Sequence, residues 1–370
     1  MIKTWIQRIR IGITVMIISI AGSTLASSKE PPQVLWPHST VNAAASGADS
    51  LVDDTVLQAV SESLDRQLHV LEGQGKVPFT IKETDDSFTE DVTENGLVTM
   101  LPIIQNDECF LSHYTIHGKS FYKAVVMTQI DVNFCYYPGF GNSLRILHTI
   151  PLTGYAVIGT NGEYTSPISK QELREQFIAN AKQLIRQDLQ FKNKRFLKDL
   201  DFRMVTPDTY QVTRVDVSSE AARQFYGEHL AKAQALIASA FTSQYAAAHD
   251  DITMLPSVVG GKWQEDAAKK TYQLSLGDSG KYLVMEKANH EIALDLSRVA
   301  AFDIPIKRET GVYKKKGYAA DIQNQTERKK GTAIVQRLML GDSNSNEVRY
   351  DLNGILAEVL TLAAKKAAVN

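Results

Sequence analysis

Cysteine is nearly absent: Cys109 and Cys135 are the only two in 370 residues. That excludes a small disulfide-stapled scaffold, and their wide spacing excludes a C-x-x-C redox pair. Long apolar runs are as scarce. Outside residues 11–21 no stretch approaches the roughly 20 apolar residues that a membrane-spanning helix needs, so membrane contact is expected to be peripheral at most. Charge of one sign is not in excess either, with 40 Lys and Arg against 42 Asp and Glu and a net charge of −2. No nucleic-acid partner is expected from that balance, because nucleic-acid modules carry a basic field. The short basic clusters at 192–195, 314–316 and 328–330 read as solvated linker and loop tips.

A complete catalytic or cofactor motif is missing as well. Gly277-Asp278-Ser279-Gly280 has the letters of a serine-protease nucleophile region, but it sits between alternating apolar runs, where a tight turn accounts for it. Gly341-Asp342-Ser343-Asn344 resembles the nucleophile block of GDSL-type esterases, yet no histidine follows Ser343 to serve as base; the last is His290. His113 and His117 lie in a stretch that reads as extended. A strand would hold their side chains roughly 13 Å apart, too far to share one zinc at about 2 Å. His117-Gly118-Lys119-Ser120 ends like a phosphate-binding loop, but His113 stands where its first glycine is required. His249-Asp250-Asp251 fits a helix-to-strand junction, and Asp107-Glu108 is an isolated acidic pair. No catalytic residue, cofactor-binding residue or metal ligand is assigned.

What is present begins at the N-terminus. Residues 1–26 carry the pattern of a secretory signal peptide: Lys3, Arg8 and Arg10 without an acid, an uncharged run at 11–21, then Gly22, Ser23, Thr24 and Ala26. Cleavage after Ala26 or after Ser28 fits, whereas an uncleaved anchor would need a longer apolar run. No cysteine stands near that point, so a lipid-tethered N-terminus is not expected. The expected location is periplasmic or extracellular, an oxidising compartment in which Cys109 and Cys135 are expected to form a disulfide. Such a bridge would close a loop of about 26 residues and constrain the unfolded chain by roughly 3 kcal/mol. Two separate buried thiols are the other arrangement.

The mature chain is long enough for two domains. In the first half a short strand at 33–38 leads to Asp53-Asp54, which can cap a helix whose Val56, Leu57, Val60, Leu64, Leu68 and Leu71 form one stripe. Strands follow at 77–82, at 97–104 and at 130–136, where Ile130, Val132 and Phe134 alternate with Asp131, Asn133 and Cys135 in the manner of one buried face. A strand pair at 144–158, broken at Thr153-Gly154, precedes a helix with a Ser169/Glu172 capping box. The second half repeats the order: strand 210–217, one long helix 219–247, strand 251–258, and a hairpin around 277–280. Strands at 301–306, 312–322 and 332–351 and a helix at 353–368 complete it. Thr99-Met100-Leu101-Pro102 recurs as Thr253-Met254-Leu255-Pro256, which is consistent with a duplication. The expected fold is α+β: two similar domains at 30–190 and 207–370 joined by a linker at 191–206. Each would be an antiparallel or mixed sheet with helices packed on one face.

The order of elements at 33–38, 53–71 and 77–82, and again at 210–217, 219–247 and 251–255, resembles the α/β units of bacterial envelope proteins of the TolB N-terminal-domain and CsgG types. The resemblance rests on element order, and the absent lipidation cysteine departs from the CsgG pattern. It implies an envelope-assembly or secretion-accessory module that binds protein partners, or copies of itself, without catalysis. Two other functions stay open, a secreted hydrolase with an unrecognised site and a solute-binding protein with its ligand between the halves.

Overall fold

The computed structural model describes residues 33–37, 41–44, 50–84, 97–116, 118–138, 143–159, 163–191, 208–260, 262–276, 281–308, 311–338 and 345–369. The leader at 1–26, most of the linker at 191–206, His117 and the tetrapeptides at 277–280 and 341–344 lie outside the described residues.

The first half runs β1 (Gln33–Pro37), β2 (Asn42–Ala43), α1 (Asp54–Gly73), β3 (Thr80–Thr84), β4 (Leu97–Asn106), β5 (Cys109–Ile116), β6 (Lys119–Tyr137), β7 (Ser143–Ile158) and α2 (Lys170–Asp188). The second runs β8 (Thr209–Asp216), α3 (Glu220–Tyr226), α4 (Leu230–Ala248), β9 (Thr253–Met254), β10 (Gln264–Asp266), β11 (Thr271–Ser275), β12 (Tyr282–Glu286), β13 (His290–Arg308), β14 (Gly311–Asn324), β15 (Lys329–Leu338) and α5 (Ser345–Val369). The fold is α+β. In the first sheet the strands lie β7-β6-β4-β1-β3, and in the second β15-β14-β13-β8-β9. Each order places the half's first strand between two parallel neighbours and continues into an antiparallel meander. The halves therefore carry one topology twice, with β1 matching β8, β3 matching β9, and the meander β4–β6–β7 matching β13–β14–β15. The repeated tetrapeptide does not mark this correspondence, since Thr99 lies on β4 and Thr253 on β9.

The two copies are not separate domains. Gln33–Asn370 forms one compact unit, in place of the expected division at 191–206. Two features join the halves. Strands β10–β12 of the second half extend the first sheet, β12 pairing parallel with β7 over Ser143–Arg145. In addition, α1 and α2 cover one face of the first sheet, while α4 and α5 lie between its other face and the second sheet. Alternation along β6 divides the layers: Val126, Ile130 and Val132 pack with the α1/α2 core, and Val125 and Met127 with the α4/α5 core.

Local chemistry explains several helix boundaries. Asp53 caps α1 by accepting the Val56 amide at 3.0 Å and pairs with Arg174 of α2 at 3.0 Å. Ser169 and Glu172 close the expected capping box on α2. The single helix read at 219–247 is broken at Gly227, whose φ of 49° is a left-handed conformation that suits glycine. Conversely, the break read at Thr153-Gly154 is absent, and β7 runs through it. Gly154 is there for packing: a Cβ would approach the Leu184 side chain of α2 to 2.9 Å. The strand read to residue 351 stops at Leu338, and 345–351 instead begins the C-terminal helix.

The expected disulfide does not form. Cys109 sits opposite Val126 on β6, whereas Cys135 belongs to β6 itself, nine residues further along. That separation is about 30 Å at roughly 3.3 Å per residue, far beyond the Cα spacing a disulfide permits. Cys135 is buried among Leu101, Ile103 and Leu144, and burial pushes its thiol pKa up.

Candidate functional site

Strand β7 is where the two halves leave a concavity. Beyond Arg145 no strand pairs with its outer edge among the described residues, because β12 pairs only with Ser143–Arg145, although β9 packs nearby. A cleft of about 180 Å³ follows that edge. His148, Thr149, Ile150 and Pro151 of β7 form one wall, and Asp188 and Gln190 at the end of α2 stand beside them. Ser243, Gln244 and Asp250 come from the end of α4 and the turn after it, Met254 from β9, and Lys365 from α5. Three helices, α2 from one layer and α4 and α5 from the other, thus contribute to one opening.

Few of these groups are disposed for chemistry. The Ser243 hydroxyl donates to the Pro151 carbonyl at 3.2 Å, so it is engaged with the strand backbone. His148 is 2% exposed and packs beside Phe134 at 6.2 Å between centroids. Partial desolvation holds the Asp188 carboxyl above its ordinary range, with the Lys365 charge opposing that rise. The result is a small, mixed-polarity cleft with acids and a lysine at its rim and apolar Ile150, Ile252 and Met254 inside.

Thr149 connects the cleft to a buried polar row. Its hydroxyl donates to Asn133 Oδ1 at 2.7 Å, and Asn133 Nδ2 donates to the Leu101 carbonyl at 3.2 Å. Next along β6, Asp131 Oδ1 accepts from Gln129 Nε2 at 3.3 Å, and Gln129 Oε1 accepts from Ser239 of α4. The alternation of Asp131 and Asn133 with apolar residues suggested a solvated face, but they are 1% and 0% exposed. The second half covers them. Burial pushes the Asp131 carboxyl up to about 7, with the Gln129 hydrogen bond and the Lys262 charge pulling the other way. Lys262, whose ammonium donates to the Gln105 carbonyl, is shifted down by burial and held up by Asp107, Glu108 and Asp131.

The other residues singled out in the sequence have structural roles. Asp107 accepts from Ser50 and from the Leu51 and Val52 amides, pinning the entry to α1. His113 lies on β5 and stacks on Tyr122 at 4.7 Å. His249 stacks on Tyr245 at 4.2 Å at the end of α4, and of its acidic neighbours only Asp250 reaches the cleft. Sequence reasoning missed the cleft because its walls come from four distant segments, none of which carries a motif.

No family model matches the chain, and no curated protein matches it. Among solved structures, one described as a neuraminyllactose-binding hemagglutinin homolog from Helicobacter pylori aligns with 49% of this chain and 97% of its own, at 12% identity and a TM-score of 0.31. A likeness of that size fixes neither fold nor function.

Proposed function

We propose that the protein is an exported, non-enzymatic binding module of the cell envelope, and that the cleft along β7 receives a protein partner. The observation that carries this reading is the cleft's size and lining. At about 180 Å³ it is smaller than the roughly 300–1,000 Å³ typical of small-molecule sites. It matches a single projecting side chain of a partner, the kind of anchor that fills a small pocket at an interface. Asp188 and Asp250 at the rim favour a basic or hydrogen-bond-donating side chain. Export is supported by the leader pattern at 1–26.

The test is site-specific photocrosslinking in producing cells, with the probe at Gln244 in the cleft and, as control, at the exposed Leu111 on β5. A discrete adduct from Gln244 and none from Leu111 is the expected result, whether the partner is another protein or a second copy. Monomer alone from both positions, or the same adducts from both, would overturn the reading.

A further inference from the structure

We propose that Asp65, His69 and Glu83 form a binding site for a divalent transition-metal ion of the zinc type, linking α1 to the edge strand β3. The site is independent of the cleft and of export. Asp65 and His69 are four apart on α1 and so share one helix face, and β3 brings Glu83 up beside them. His69 Nε2 lies 3.2 Å from Glu83 Oε1 and 3.7 Å from Asp65 Oδ1, and the three donor atoms all fall within 4.8 Å of one another. A tetrahedral ion with bonds of about 2.0–2.1 Å holds its ligand atoms about 3.4 Å apart, so little movement is needed to close on an ion.

The surroundings fit that use. The buried indole of Trp36 donates from Nε1 to Asp65 Oδ1 at 3.1 Å, which orients this carboxylate as outer partners orient metal ligands. Trp36 is also the register partner of Glu83 between β1 and β3, so one rigid strand pair positions both acids. The His69 side chain is 52% exposed, leaving an approach for the ion and room for water to complete its coordination. One imidazole and two carboxylates suit zinc and its first-row neighbours, whereas calcium and magnesium select oxygen ligands. Glu62 and Arg66 border the same concavity and offset each other's charge.

The rival arrangement is a metal-free histidine bridging two carboxylates, and zinc titration separates the two. The untagged chain is dialysed against zinc chloride in a non-chelating buffer and the bound metal is counted by elemental analysis. Cobalt substitution, followed by visible absorption, reports geometry. One ion per chain is expected. His69→Ala should weaken binding by more than about tenfold, the loss that removing even an outer partner brings. Glu83→Gln should weaken it too and serves if His69→Ala fails to fold, while His113→Ala on β5 should bind as the unaltered chain does. Less than one ion per unaltered chain, or undiminished binding by the folded His69→Ala or Glu83→Gln variant, would overturn the proposal.

Discussion

Asp131 is 1% exposed, and its Oδ2 has no hydrogen-bond partner among the described residues. An ionised carboxylate is costly there, so the group keeps its proton up to about pH 7 instead of its ordinary 3.8. The folded-state pKa exceeds the unfolded one, so the folded chain binds the extra proton. This contribution to stability is fully present below about pH 4 and is lost as pH rises through about 7. Asp131→Asn keeps the shape without the titration. Between about pH 5 and pH 8 the unaltered chain should lose stability relative to this variant, by up to a few kcal/mol at about 1.4 kcal/mol per unit. Denaturant melts at the two pH values check this, and parallel pH dependence would contradict it. Periodicity identified the strand at this position, because alternation is local. It could not identify the covered polar face, because the cover comes from Ser239 and Lys262, more than a hundred residues away.

Among the elements, α5 depends most on close approach. Ala363, Ala364, Ala367 and Ala368 are fully buried, and Gly331 of β15 lies directly against them. A Cβ at Gly331 would come within 2.0 Å of the Ala363 carbonyl oxygen and 2.3 Å of the Ala367 amide nitrogen. Gly331→Ala should therefore push the helix off the sheet and cost roughly 1–3 kcal/mol. Gly73→Ala, where nothing lies within 4 Å, is the control. Thermal melts of both variants check the difference, and equal melting temperatures would contradict it. The amphipathic stripes and caps of α1 and α2 were legible because their causes are neighbouring residues. The roles of Gly154 and Gly331 were not, because each answers to a helix that returns from elsewhere in the chain.

For the whole molecule, the repeated order of elements was visible in the sequence and the structure gives it one topology twice. The union of the copies was not visible. Short strands such as β10 and β12 carry too little pattern to say which sheet they join, yet they extend the first sheet from the second half. Shared sheet and shared helical layer predict cooperative unfolding of the described body. Residues 30–190 made alone should fail to fold, and the whole chain should melt in a single calorimetric transition. Two resolved transitions, or a folded 30–190 fragment, would contradict this. Export, proposed from the leader pattern at 1–26, is the premise on which the envelope role stands. The most direct test is the N-terminal sequence and intact mass of the chain recovered from fractionated producing cells. A chain outside the cytoplasm that begins at Ser27, or after Ser28 at the alternative position, is the predicted result; a full-length cytoplasmic chain starting at Met1 would contradict it.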